Sequence, residues 1–355
     1  MRKDGCWIYK VIISCTLLLF VGNSCNEEDD SSETLAYTAI AIGNKNSLAL
    51  KEDGSLWTWG DNYFGQLADG GKLPEAHRPI NIDGRYTAIA SSGSHCLALK
   101  KDGTLWGWGL NHRGQLGAGV LDIERLPVLM GYDFVAIAAS PTRSMGLKAD
   151  GTLLQWGNDR GVIIVGDNFA EIDVNDSQAF GLKTDGTLWG WGTGPLGDGT
   201  YVQSETPVLL GSNYAALEVG ERHILALKTD KTLWAWGSNT SGRLGDGTET
   251  DKVVPTLIGS DYSAISAGYG HSLALKSDGA LYAWGYNGTG QLGDGSNTSK
   301  NTPLNIGRDY IAIAAGFGHS MAIKADGTLW TWGYNSYGQL GNRHQVSTNV
   351  PGKIE

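Results

Sequence analysis

The sequence predicts an all-β chain, a seven-bladed β-propeller whose blades repeat about every 48 residues. Three observations point there. A Trp-Gly step recurs at Trp59-Gly60, Trp108-Gly109, Trp156-Gly157, Trp191-Gly192, Trp236-Gly237, Trp284-Gly285 and Trp332-Gly333, with glycine spacings of 49, 48, 35, 45, 48 and 48. A Lys-x-Asp turn precedes every copy, as in Lys276-Ser277-Asp278-Gly279, and only Asp230-Lys231 departs from the Asp-Gly ending. Between these marks apolar residues alternate with period two, the pattern of strands rather than helices.

One copy shows the elements in order. Tyr262 to Ala267 alternate and end at Gly268, a first strand. His271 to Lys276 form a second, and Asp278-Gly279 close a hairpin because glycine takes the positive φ the turn needs. Leu281 to Trp284 form a third strand. The loop Gly290-Gln291-Leu292-Gly293-Asp294-Gly295 then leads to a short fourth around Pro303 to Ile306. Four strands per repeat make one blade, and only a stacked ring buries both faces of each sheet. The last copy keeps Val350 to Ile354 as its fourth strand, so the propeller domain is expected over 37–355. The third copy is irregular. Gly161 to Gly166 stand where the Gly-Gln loop should be, which reads either as a tightened blade or as a rim notch that admits a ligand.

Residues 1–24 read as an export signal, with Arg2, Lys3 and Lys10 before an apolar run from Val11 to Gly22. Gly22-Asn23-Ser24-Cys25 resembles the bacterial lipoprotein signal, which implies a lipid on Cys25 and an outer-membrane anchor. Ordinary cleavage and secretion is the other reading. Residues 25–36 hold the acidic run Glu27 to Asp30 and read as a flexible tether. An acidic run after the cysteine also resembles the surface-export signal of Bacteroidetes lipoproteins.

Charged residues make up only 18% and apolar ones 41%, which excludes a disordered chain. Net charge is −10, and removing Arg2, Lys3, Lys10 and Asp4 with the leader takes it to −12. Such a chain repels phosphate backbones, so nucleic acid is not an expected partner. Cys6 and Cys15 fall in the leader, and Cys25 and Cys96 form no disulfide framework. Cys96 occupies the repeat position of Ser47, Ser144, Ser272 and Ser320, and reads as a small strand residue.

The copies spanning Ala267 to Gly293 and Ala315 to Gly341 run Ala-x-Gly-x-x-His-Ser, then a Lys-x-Asp-Gly turn, then Trp-Gly-x-Asn-x-x-Gly-Gln-Leu-Gly. This resembles the regulator of chromosome condensation repeat family from about Tyr37 onward. The resemblance implies the propeller fold. The founder's role as an exchange factor on a small GTPase, docked on chromatin, is not expected to carry over, because an exported acidic lipoprotein meets neither partner. A secreted bacterial β-lactamase inhibitor with similar repeats implies a binding role instead.

Strand alternation puts the first–second and third–fourth loops on one face and the Asp-Gly hairpins on the other. The varied loops hold Tyr63, Phe64, His112, Arg113, Arg143, Arg222, Tyr269, Tyr286, Phe317, Tyr334 and Tyr337. Tyr, Phe and Arg on one rim suit a protein-binding hot spot or sugar stacking, or simply cover neighbouring blades. His95, His223, His271 and His319 share one repeat position, filled elsewhere by Asn46, Arg143 and Gln178. That exchange favours hydrogen bonding over metal coordination. The Asp-Gly pairs at Asp69, Asp198, Asp246 and Asp294 lack the carboxylate density of a calcium loop. No nucleophile elbow, zinc helix or phosphate loop occurs in the sequence. The expected role is a non-catalytic, membrane-anchored module for a protein partner, without cofactor or metal. A carbohydrate-binding surface protein is the alternative, and an enzyme with an axial site the third reading.

Overall fold

Every alternating run becomes a strand in the computed structural model, which describes residues 35–117 and 122–355. The leader, Cys25 and most of the tether lie outside the described residues. The blades span 37–85, 88–131, 134–166, 169–211, 214–259, 262–307 and 310–353. Each is a four-stranded antiparallel sheet of four consecutive strands, with no strand exchanged between blades. First strands line the axis and fourth strands form the outer edge. Gly161 to Gly166 are not a loop substitute. They belong to the fourth strand of blade 3, Arg160–Gly166, joined to the third by Asn158 and Asp159 at φ 54° and 60°. The irregular blade is therefore tightened but complete.

The core sits between blades. Seven apolar clusters each draw residues from two adjacent blades, including Leu48 and Trp108 for blades 1 and 2, and Trp59 and Met321 for blades 7 and 1. Trp59, Trp108, Trp236, Trp284 and Trp332 are fully buried. A buried indole needs a partner for its N–H. Here that requirement fixes the blade junction. Trp332 Nε1 donates to the carbonyl oxygen of Gln291, in the preceding blade, at 2.9 Å. Ser320 Oγ donates to the same oxygen at 2.8 Å and meets His271 Nε2 at 2.8 Å. With its own proton committed, the hydroxyl accepts from Nε2–H. The imidazole therefore donates through Nε2.

The same joint recurs as His95–Ser144–Gln115 with Trp156 and as His223–Ser272–Arg243 with Trp284. His319–Ser47–Gln339 with Trp59 closes the ring. Between blades 1 and 2, Asn46 and Cys96 replace the His and Ser, with Cys96 Sγ 3.6 Å from the Gln66 carbonyl oxygen. The histidine position thus reaches the neighbouring blade's hydroxyl. The Trp-Gly glycine is equally constrained. At Gly285, with φ 102°, a Cβ would lie 2.6 Å from the Gly270 carbonyl oxygen.

Ser320→Ala should cost about 1–3 kcal/mol, because it strands the buried His271 Nε2–H and removes one bond to Gln291. Cys96→Ser, which installs the commoner group, should stay within about 1 kcal/mol of the parent. Denaturant unfolding compares the two. Equal losses would show that the hydroxyl relay contributes nothing.

Burial lowers the imidazole of His95, His271 and His319 to about 3, and that of His223 well below its usual value. An unfolded histidine takes its proton near pH 6.5, so acid favours the unfolded chain. Each buried ring then costs about 1.4 kcal/mol per pH unit below about 6.5. Burial raises Asp173 to about 7, which acts in the opposite sense between about pH 4 and 7. Four histidines outweigh one aspartate. The melting temperature should fall from pH 7 to pH 5, and fall less in His271→Gln. A flat or rising profile would contradict neutral buried imidazoles.

Candidate binding face

The two faces differ in how much of their chemistry the repeat consumes. On the hairpin face Asp102 Oδ1 accepts from the N–H and hydroxyl of Thr104, whose oxygen accepts from Trp106 Nε1. Asp185, Asp230 and Asp326 repeat the arrangement. Lys231 takes the glycine's place in its turn at φ 65°. Each turn lysine lies over a ring of its blade, as Lys100 does 3.9 Å from the Trp106 centroid. Near-identical turns of this kind offer little to tell one partner from another.

The opposite face is built on loops closed from within. Asn62 Oδ1 accepts from the N–H of Leu67, and Asn111, Asn239, Asn287 and Asn335 do the same five residues before a leucine. The Asp-Gly aspartates serve these loops. Asp246 accepts from Asn239 and Thr248 and pairs with Lys252 at 3.2 Å, and Asp294 is engaged in the same way by Asn287, Ser296 and Lys300. Asp69 and Asp198 accept from their own turns.

On this frame the aromatics concentrate on blades 6, 7 and 1. Tyr269 and Phe317 stack with centroids 4.4 Å apart, and they are 40% and 44% exposed. Tyr286 is 44% exposed, seated against Gly270. Tyr334 and Tyr337 meet edge to face at 6.4 Å. Lys45 donates to the Tyr337 hydroxyl at 3.0 Å across the ring closure. Tyr63 and Phe64 form a further edge-on pair at 4.9 Å, with Tyr63 73% exposed. His112, Arg113 and Arg222 are also exposed, with Arg113 paired to Asp159 at 3.1 Å and His112 3.6 Å from Asp122.

Arg143 does not belong to this exposed set. It is buried, because its guanidinium occupies the histidine position and gives Nε and Nη2 to the Asn175 carbonyl oxygen at 3.0 and 2.7 Å. Two features are not on the sequence-derived list. One is Lys45, which only ring closure brings to Tyr337. The other is the axis.

The channel is a cavity of about 140 Å³ lined by first strands, and its mouth is framed by the first–second loops with Tyr269 and Phe317. Ala and Ile dominate its wall, but Asp173 and Glu218 line it at blades 4 and 5. Asp173 accepts from the N–H of Val219 at 2.7 Å and of Val174 at 2.8 Å. Glu171, on the same strand, accepts from the N–H of Leu217 at 3.0 Å. These carboxylates bridge blade 4 to the backbone of blade 5. Among the described residues no group of three or more His, Cys, Asp or Glu is placed to hold a metal ion. Their signal in the sequence was acidic residues at first-strand positions that other copies fill with alanine or serine.

Comparison with known proteins agrees with this architecture. The Kap60-bound yeast RCC1 (Prp20) structure matches at 22% identity over 94% of this chain and 91% of that one, with a TM-score of 0.77. Prp20p of Saccharomyces cerevisiae, studied with its binding to Gsp1p and histones, matches at 23% identity over 87% of each chain, with a TM-score of 0.79. Human WBSCR16 matches at 19% over 85% and 94%, with a TM-score of 0.76. At such identities the likeness is one of fold. No curated protein matches the sequence. Models of the regulator of chromosome condensation (RCC1) repeat match at 37–66, 86–115, 215–243, 262–291 and 310–339, and at 53–99, 102–147, 230–275, 278–323 and 326–355. The unmatched stretch, 148–214, covers the outer two strands of the tightened blade and its successor, and with the rest of the ring in register the chain belongs to the RCC1 repeat family.

Proposed function

We propose that the protein is a non-catalytic binding module that offers its varied loop face to a protein partner while a lipid on Cys25 holds it at the outer membrane. One observation supports this above the rest. The exposed rings of Tyr269, Phe317 and Tyr286 gather at the channel mouth and on adjoining loops, on the one face whose loops differ between blades. Partly exposed aromatics on a rigid frame bury much area at little entropic cost, which is what binding hot spots use. The repeat's own polar groups are engaged in joints and turns. Of the acidic residues near the axis, Glu171 and Asp173 accept from backbone N–H groups of blade 5.

Solved proteins of this fold are described with Gsp1p, histones and Kap60, which supports a protein as the partner. A net charge of −12 after the leader disfavours nucleic acid, and nothing in the loops singles out a small GTPase.

The test is affinity capture from cell envelope and medium with residues 37–355 as bait. The comparison baits carry either Tyr286→Ala, Phe317→Ala and Tyr334→Ala, or Lys101→Ala and Thr229→Ala on the hairpin face. A specific partner should be lost roughly tenfold or more with the triple variant and kept by the control. Retention indifferent to the triple variant would overturn the protein-binding face, and a glycan array would then decide the carbohydrate reading. Cys25→Ala should move the full chain from the membrane to the soluble fraction. Unchanged membrane association would rule out the anchor.

A further inference from the structure

We propose that the fourth strand of blade 3, Arg160–Gly166, is an edge through which two copies of this chain pair antiparallel. Every fourth strand has one free edge. Six of the seven carry a proline, namely Pro79, Pro127, Pro207, Pro255, Pro303 and Pro351. Proline removes a backbone donor and is a common guard against edge-to-edge pairing. The blade 3 strand, Arg-Gly-Val-Ile-Ile-Val-Gly, has none. It is also the most open of the seven. Arg160 to Ile164 form an unbroken exposed run, with Val162, Ile163 and Ile164 at 56%, 42% and 74%. A bare, apolar, proline-free edge is a template for another strand.

The strand's own sequence points to a second copy as that other strand. Its apolar centre, Val162 to Val165, meets only apolar residues and glycine when it pairs with a copy of itself. Directly opposed residues of an antiparallel pair share a face of the sheet, so a two-fold axis must pass beside a single residue. Pairing therefore centres on Ile163 or on Ile164, and either choice sets Val and Ile against Ile and Val. The centre is also where the strand is regular, with Ile163 opposite Gln155 and Ile164 opposite Leu154 and bulges on both sides. Charge agrees. Arg160 opens the strand and Asp167 follows it, so an antiparallel pair brings each copy's basic end beside the other's acidic end. The outer strands of the neighbouring blades also expose apolar residues, Leu126 and Leu129 on blade 2 and Leu209 on blade 4. One such edge per copy stops growth at the dimer.

Sedimentation velocity on residues 35–355, which contain all seven blades and the ring closure, tests the pairing. A monomer–dimer equilibrium is expected, with Kd on the order of tens of micromolar for so small a contact. Ile164→Lys should weaken it by about tenfold or more. R160D alone and D167R alone should each weaken it by roughly threefold, because both ends become like-charged. The double reversal R160D/D167R should regain the parental Kd, which also shows that these variants fold. A monomer up to about 200 μM, well above that range, would overturn the proposal and leave the edge to a foreign strand. So would a dimer indifferent to all four variants.

Discussion

A single carbonyl oxygen at each regular blade junction does most to explain the ring. Gln291 O takes the indole N–H of Trp332 and the hydroxyl of Ser320, and through that hydroxyl it holds His271. The two donors belong to one blade, and the acceptor and the imidazole to the blade before it. Neither blade can satisfy its buried polar groups alone, since an unpaired buried donor costs about 1–3 kcal/mol. Apolar packing supplies most of the attraction between blades, but packing is not directional. The shared carbonyl sets the angle and height at which one blade meets the next. Closure uses the same chemistry, with Gln339 O receiving Trp59 and Ser47. No strand exchange is needed to lock the ring.

Where this joint is lost, other bonds take its place, and they explain the groups that look most like a site. Ala179 and Ile224 stand at the serine position in blades 4 and 5, so no hydroxyl relay forms there. At the first of these junctions Arg143 bonds the Asn175 carbonyl and Asp176 accepts from Thr142. At the second, Asn175 bonds the Gly220 carbonyl, and Glu171 and Asp173 reach from the inner strand to the N–H groups of Leu217 and Val219. Arg143, Glu171 and Asp173 thus substitute for a missing joint.

The fold was legible because it is written seven times. Trp-Gly, the Lys-x-Asp turn and the alternation each report a local constraint, namely a crowded glycine, a left-handed turn residue and a strand facing two neighbours. Even the strand limits of blade 6, Tyr262–Ala267 and His271–Lys276, coincide with the reading. The site was legible only by face. Exposure depends on which neighbour covers a residue: Arg143 was grouped with the exposed loop residues, although it shares the histidines' repeat position and its guanidinium is drawn inward by a carbonyl. Lys45 meets Tyr337 across 292 residues of chain, a contact that exists only once the ring has closed. The outer strand of blade 3 was read as an altered loop because the loop motif, not the strand, was the landmark there.

These irregularities fall together. Blades 3 and 4 have the shortened repeat, the stretch that repeat models pass over, the replaced joints, the axial acids nearby and the unguarded edge. A ring of seven near-equal junctions can tolerate change at one sector because the others still fix closure. The aromatic face lies across the ring on blades 6, 7 and 1, where the hydroxyl relay is intact between blades 6 and 7 and between 7 and 1. Intact junctions under the proposed binding face would limit the ordering cost on association. Relaxed junctions elsewhere leave room for a different surface to diverge. On this argument the distribution of regular and irregular joints around the axis, rather than any one residue, separates the sector under the proposed binding face from the sector whose joints have diverged.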